Sequence, residues 1–413
     1  MNSNLVIKNA FIVTPRGNKA AEGAAMKEIF AQPDSYIVIE NGVIAEIGAM
    51  KDFPGIPEGF ETLDVEGRVV MPGIVDSHTH LVFGGYRPDE FSWRLKGDSY
   101  MSIMERGGGI QSTVNATREE PAEKLEEKAQ WFLDRMTEMG VTTVEAKSGY
   151  GLDTPTEVKM LDVIERLASK KDRKLRIVPT FLGAHAVPKE YKGRTDEYCD
   201  LIINEMIPAV KDKAVFFDIF TEKNVFEIEE SRRLLEAAAK AGFKLKLHAD
   251  EIVSLGGSEL AAEVGAVSAD HLLHISDEGI RKMKEAGVVA TVLPLTAFAL
   301  KEPYAPARKM IDAGCAVALA TDLNPGSCFS GSIPLTIALS CIYMNMSIEE
   351  VITGLTLNAA AAVDLASEIG TIEKGKRGDL AVLEFDNYHF LPYYIGMNCV
   401  KTTIYNGNIV YNS

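Results

Sequence analysis

Only seven histidines stand in this chain, and two of them, His78 and His80, flank a single threonine. They follow the apolar run 68–77, Arg-Val-Val-Met-Pro-Gly-Ile-Val-Asp-Ser, which reads as a β-strand. Residues two apart on a strand point to the same face, so both imidazoles project together. Two imidazoles on one face make a pair of ligands for one metal ion. A His-x-His by itself is common; the positions of the other histidines make this one informative. His185, His248 and His271 each stand where a strand-like run stops, and Asp322 ends the apolar run 316–321. Any one of them alone would read as a satisfied core histidine or an ordinary surface aspartate. Together, imidazoles and a carboxylate suit zinc or iron and poorly suit magnesium or calcium.

Something must bring these positions to one place. After the run that ends at His78, strand-like runs recur at 141–146, 176–181, 215–220, 244–247, 267–270, 288–293 and 316–321. Helical patterns fill the gaps at 119–139, 156–168, 196–210, 228–241 and 277–286, several opening on Thr or Asp and stopping at Gly140, Gly242 or Gly287. Strands alternating with helices imply a parallel sheet, and this number of them favours an α/β fold of the closed (β/α)8 TIM-like barrel type over a doubly wound sheet. Barrel active sites gather at the C-terminal ends of the strands. There the first run delivers His78 and His80, the fifth His248, the sixth His271 and the eighth Asp322.

Both ends of the chain read as β. Asn41-Gly42 and Asn406-Gly407 each separate two strand-like runs, and Asn-Gly supplies the positive φ values of a tight hairpin. A further strand pattern covers 378–385. These patterns predict a small β-sandwich domain assembled from both termini, residues 1–68 with 373–413, around a barrel spanning 69–372.

A net charge of −16 argues against nucleic acid or an anionic membrane as partner. The five cysteines are scattered and show no CxxC spacing, as expected of free thiols in a reducing cytoplasm. The first residues run straight into a strand pattern with no signal peptide, and no apolar stretch is long enough to span a bilayer. A cytoplasmic protein is expected. His274 and His389 read as structural, Met101 and Met104 at helical spacing as packing, and the acidic run 119–127 as a solvated helix face.

The set His78-Thr79-His80 preceded by Pro72-Gly73, with His248, His271 and Asp322 at the later run ends, resembles the amidohydrolase superfamily, which also carries a split β domain. Much of that superfamily binds two metals bridged by a carboxylated lysine at the fourth strand. The fourth run here, 214–220, has no lysine at its end, and Lys223 lies beyond it, which favours a single metal. Longer blocks are similar to the imidazolonepropionase family: 78–87 (His-Thr-His-Leu-Val-Phe-Gly-Gly-Tyr-Arg), 107–110, 147–153 (Lys-Ser-Gly-Tyr-Gly-Leu-Asp), 181–188, 248–251 and 321–327.

That resemblance implies hydrolytic opening of 4-imidazolone-5-propanoate to N-formimidoyl-L-glutamate, a step of histidine degradation. It implies one zinc or iron ion per subunit, held by His78, His80, His248 and Asp322. Asp322 would also shuttle the proton, His271 would position the water or the carbonyl oxygen, and His185 would donate to the developing oxyanion. Glu251 would contact the imidazolone ring. Arg87 would anchor the propionate with the Tyr150 hydroxyl beside it. Asn324, Gly326 and Ser327 would offer an amide, a backbone N–H and a hydroxyl to the polar end of the substrate. A homodimer is expected on the same grounds. Two other readings stand beside this one. A guanine-type ring deaminase would share the metal but has little use for a guanidinium at Arg87. A non-catalytic relative would have no need of a full ligand set.

Overall fold

The computed structural model describes residues 3–97, 106 and 108–413; Met101, Met104 and Gly107 lie outside the described residues. The β-branched runs near the N-terminus form β1 (Leu5–Thr14), β2 (Phe30–Glu40), β3 (Val43–Ala49), β4 (Glu61–Asp64) and β5 (Val69–Pro72). The alternating middle supplies β6 (Ile74–Asp76), β7 (Val141–Lys147), β8 (Arg176–Ala184) and β9 (Phe216–Thr221). It continues with β10 (Lys244–Ala249), β11 (Ser268–His271), β12 (Val289–Val292) and β13 (Val317–Leu319). The C-terminal part adds β14 (Leu380–Leu383), β15 (Val400–Tyr405) and β16 (Asn408–Asn412).

Strands from both termini make one mixed sheet in the order β16-β15-β14-β5-β1-β2-β3, with β4 also on β1. The sheet takes in Val69–Pro72 and so reaches past residue 68. Ile7, Ile12, Ile37, Ile39, Val70, Leu380 and Ile404 form its buried face. Its two Asn-Gly hairpins hold positive φ at both central residues, 53° and 77° at Asn41-Gly42 and 52° and 73° at Asn406-Gly407. The hairpins meet: a Cβ on Gly42 would stand 2.0 Å from Asn406 Oδ1. Gly378 donates its N–H to the Gly42 carbonyl at 2.8 Å and accepts from Gly407 at 3.0 Å. The far ends of the chain are pinned to each other there.

β6 to β13 lie side by side in chain order, each pair parallel, as the eight-stranded (β/α)8 barrel that the alternation predicts. Its last seam is short. A single bridge joins Thr79 to Leu323, with His80 N–H on the Leu323 carbonyl at 2.9 Å and Asp322 N–H on the His78 carbonyl at 3.0 Å. Asp76 braces the seam by accepting from Thr321 N at 3.0 Å and Thr321 Oγ1 at 2.6 Å. The His-x-His segment and Asp322 are thus fixed by the closure of the barrel itself.

The helices follow the pattern with one interruption. The stretch expected at 196–210 is a helix at Thr195–Leu201, a π turn at Ile202–Met206 and a last helical turn at Ile207–Val210. Pro208 has no N–H to give to the ladder, which accounts for the irregular turn before it. Among the described residues no helix is long and apolar enough to cross a membrane, and the five cysteines are free.

Candidate active site

His78 and His80 follow β6, His248 lies near the end of β10, His271 closes β11, and Asp322 comes just after β13; all are buried. Their side chains converge. His80 Nε2 is 3.3 Å from His248 Nε2, and Asp322 Oδ1 is 3.5 Å from Nε2 of both His78 and His80. His78 Nε2 and Asp322 Oδ1 have no hydrogen-bond partner although they are buried, an arrangement that costs free energy unless something else binds there. Two imidazole nitrogens facing each other and an orphaned carboxylate oxygen are what a cation between them would satisfy, so these residues fit one metal ion.

Carboxylates behind the cluster orient it. Asp270 Oδ2 lies 2.6 Å from His78 Nδ1, and Asp218 Oδ2 lies 3.1 Å from His248 Nδ1. Each carboxylate holds the proton on Nδ1 and leaves the Nε2 lone pair facing the centre. Burial pushes His78 and His80 well below the usual histidine range, with Lys147 and the neighbouring imidazoles adding to it. Lys147 itself is fully buried between Glu145 at 2.8 Å and Asp218 at 2.7 Å. Burial opposes its charge, yet Asp218, Glu145 and Asp270 outweigh that and keep it protonated. Lys246 reaches Ser268 Oγ at 2.7 Å and Asp270 at 3.4 Å. Sequence reasoning singled out none of Asp218, Asp270, Lys147 or Lys246 as functional. Asp218 carried a signal, a charge inside the otherwise apolar run 215–220, where charge is rarely left without partners; Lys147, Lys246 and Asp270 stand among other polar residues of their strands and carried none.

Two residues of the cluster have left-handed backbone. His271 has φ 78° and Asp322 φ 54°, values uncommon for non-glycine residues, though His and Asp adopt them more readily than most. Neither His271 nitrogen has a hydrogen-bond partner, although Glu251 Oε1 stands 3.5 Å from Nδ1. Burial, followed by the charge of Asp322, lifts Glu251 to about 8. Burial lifts Asp322 to about 6, against a 2.6 Å hydrogen bond from Thr296 Oγ1.

His185 stacks on His80, with ring centroids 4.9 Å apart. Its Nδ1 is 3.0 Å from the Gly149 carbonyl, which can only accept, so the proton sits on Nδ1. Burial drops His185 to about 3, so it is neutral and presents a lone pair at Nε2. In this tautomer His185 accepts at Nε2; the donor role expected from sequence would need a second proton there. The loop that supplies the Gly149 carbonyl and Tyr150 is held by Glu157, whose carboxylate accepts from Gly149 N, Gly151 N and Leu152 N at 3.0, 2.8 and 2.9 Å.

Tyr150 is buried, with its ring 5.7 Å from that of His80. Burial pushes its hydroxyl far above the ordinary range, with Arg87 and Asp322 acting in opposite directions. The turn after Asp322 is largely self-satisfied. Asn324 Oδ1 accepts from Gly326 N at 2.9 Å and Ser327 N at 2.8 Å, while Nδ2 donates to Ser327 Oγ at 2.9 Å. Gly326 lies close to Arg87: a Cβ there would stand 2.3 Å from Arg87 Nη1 and displace the guanidinium, a contact the sequence did not reveal. His274 and His389 are outside the cluster; His389 Nδ1 pairs with Asn387 Oδ1 at 2.8 Å.

Residues 69–410 match the profile of the Amidohydrolase family. The imidazolonepropionase of Phocaeicola vulgatus is 60% identical over 415 residues, covering 100% of both chains. That of Bacteroides thetaiotaomicron is 60% identical over 98% of this chain and 99% of its own. Among solved structures, a mutant atrazine chlorohydrolase of Arthrobacter aurescens complexed with zinc and atraton has a TM-score of 0.76 at 16% identity, covering 98% of this chain and 94% of that one; it shows the shared fold. On the strength of these full-length similarities, the chain belongs to the amidohydrolase family, in its imidazolonepropionase group.

Proposed function

We propose that the barrel mouth hydrolyses the ring amide of 4-imidazolone-5-propanoate to give N-formimidoyl-L-glutamate. The observation that carries the substrate is Arg87, a largely buried guanidinium whose Nη1 lies against Gly326 in the turn that follows Asp322. A propionate needs such a cation, and a neutral purine does not, which favours ring opening over guanine-type deamination.

His78, His80, His248 and Asp322 would hold one zinc or iron ion, which when bound acts as a Lewis acid and makes water nucleophilic near neutral pH. Asp322, braced by Thr296, accepts a proton from the attacking water. The water oxygen bonds to the ring carbonyl carbon, and the bond from that carbon to the adjacent ring nitrogen breaks. Asp322 returns the proton to the departing nitrogen, so one water is consumed and a carboxylate and a formimidoyl N–H appear. His271 positions the water or the carbonyl oxygen. Glu251, lifted to about 8 and so mostly protonated at neutral pH, donates to a ring acceptor. His185 Nε2 accepts a ring N–H. Arg87 and Tyr150 take the propionate, and Gly326 makes room for Arg87. Asn324 and Ser327 shape the turn that borders this end of the substrate. The same reading includes a cytoplasmic homodimer, and the net charge of −16 supports the absence of nucleic-acid and membrane partners.

The test is an assay on metal-analysed protein with freshly prepared 4-imidazolone-5-propanoate, following loss of its ultraviolet band and identifying the product. Formimidoylglutamate with stoichiometric metal supports the proposal. Metal without turnover moves the substrate to another cyclic amide or amidine. Absence of both favours a non-catalytic relative.

A further inference from the structure

Arg87 is not a free side chain at the rim. Its Nε and Nη2 both approach Oε2 of Glu90, at 2.8 and 2.7 Å. The same oxygen accepts the backbone N–H of Gly109 at 3.1 Å, so one carboxylate oxygen gathers donors from two separate segments. Glu90 stands in the first turn of the helix Pro88–Leu95, and its side chain is only 10% exposed. With Nε and one N–H of Nη2 engaged, Nη1 and the outer N–H of Nη2 form the end of the guanidinium left for a ligand. Nη1 lies against Gly326, where a side chain would block it. Arg94 Nη2 donates to the Gly326 carbonyl at 3.0 Å, so two guanidinium groups flank one turn. Burial, then Arg87, pushes Arg94 below the usual arginine range, and Glu90 counters both.

We propose that Glu90 is a positioning residue for the carboxylate anchor: it fixes the plane of Arg87 so that Nη1 faces the turn 324–327, and thereby sets the preference for an anionic over an amide side chain on the ring. This rests on Arg87 being the propionate anchor. A planar fork recognises a carboxylate through its orientation as well as its charge, so a guanidinium free to rotate loses selectivity. Because the donors share one oxygen, glutamine can place its amide oxygen there and keep the plane; alanine loses the plane altogether.

The experiment compares binding of imidazole-4-propanoate and its propanamide to metal-loaded protein by calorimetry, alongside turnover of 4-imidazolone-5-propanoate. Glu90→Ala is expected to weaken carboxylate binding and raise KM by about tenfold or more, with kcat within about twofold and amide binding unchanged. Glu90→Gln is expected to restore the acid-over-amide preference. If the alanine variant does not fold, Glu90→Asp, which retracts the oxygen by one methylene, is expected to show the same loss of preference. Unchanged KM and preference in a folded Glu90→Ala or Glu90→Asp overturns the proposal. So does a parallel fall in kcat, metal content and affinity for both ligands, which marks a merely structural role. If wild-type protein turns nothing over yet prefers the acid in a Glu90-dependent way, the activity reading fails and the anchor stands. If it shows no preference for the acid, both fall.

Discussion

The terminal sheet and the barrel mouth use the same backbone conformation for opposite ends. In the sheet, positive φ occurs at Asn41-Gly42 and Asn406-Gly407, residue types that adopt it at little cost, and the two turns lock together. At the mouth it occurs at His271 and Asp322, where it closes no hairpin and the residues belong to the histidine-carboxylate cluster. The buried polar groups differ in what faces the unpaired ones. In the sheet, Thr403 Oγ1 donates to the Thr137 carbonyl at 2.7 Å and Asp379 Oδ1 accepts from Asn406 N at 2.7 Å, while Asp379 Oδ2 and Arg377 Nε, which make no hydrogen bond, face each other at 3.8 Å as an ion pair. At the mouth, His78 Nε2, both nitrogens of His271 and Asp322 Oδ1 are left without partners. In the sheet the unpaired groups are a cation and an anion that answer each other; at the mouth they are imidazole and carboxylate groups gathered on one centre, which could hold a metal ion.

The sharpest way to break this contrast is His78→Ala. It should abolish metal binding and cost activity at least about a thousandfold, since metal assistance is worth several kcal/mol, while circular dichroism still shows the fold. Global unfolding would make the metal a structural element and erase the distinction. Asp270→Asn removes the carboxylate that orients His78 and should weaken metal affinity by about ten- to a hundredfold in a chelator competition. Undiminished affinity would mean that His78 needs no orienting partner. Arg87→Met should raise KM for the propanoate by about ten- to a hundredfold through lost charged hydrogen bonds, with little change in metal content. An unchanged KM would return the deaminase reading.

A finer test is pH. In the proposed mechanism Asp322 must be ionised to accept a proton, and the Thr296 hydroxyl stabilises that ionised form. Thr296→Val should therefore move the acid limb of the rate profile to higher pH, so activity falls most at the acid end. A limb that stays in place would mean that another group accepts the proton. The smallest effect on catalysis belongs to the sheet. Gly42→Ala forces a side chain onto Asn406 and should cost about 1–3 kcal/mol of stability in a melting experiment, with KM and metal content unchanged. A change in either would show that the two regions are coupled.

Much of this was legible in one dimension because strand periodicity and turn chemistry are local. The alternating runs gave the barrel in its chain order, and the Asn-Gly pairs gave the terminal hairpins. Histidines at strand ends gave the cluster, because strand ends of a barrel meet on one face whatever lies between them. Pattern could not say which charges inside the strands support that cluster. Asp218 and His248 come together across neighbouring strands, and Asp270 and His78 across the barrel interior, pairings that depend on three-dimensional closure. The proton position on His185 depends on a carbonyl 36 residues away. The close contact at Gly326 comes from an arginine in a loop on the far side of the sequence, at 87. The sequence by itself determined the elements, their order and the chemical types at the mouth, since these follow from neighbours along the chain. Only the tertiary structure decided which lone pairs face inward, which proton sits where and how Arg87 is held, since those are set by desolvation and by partners brought together when the barrel closes.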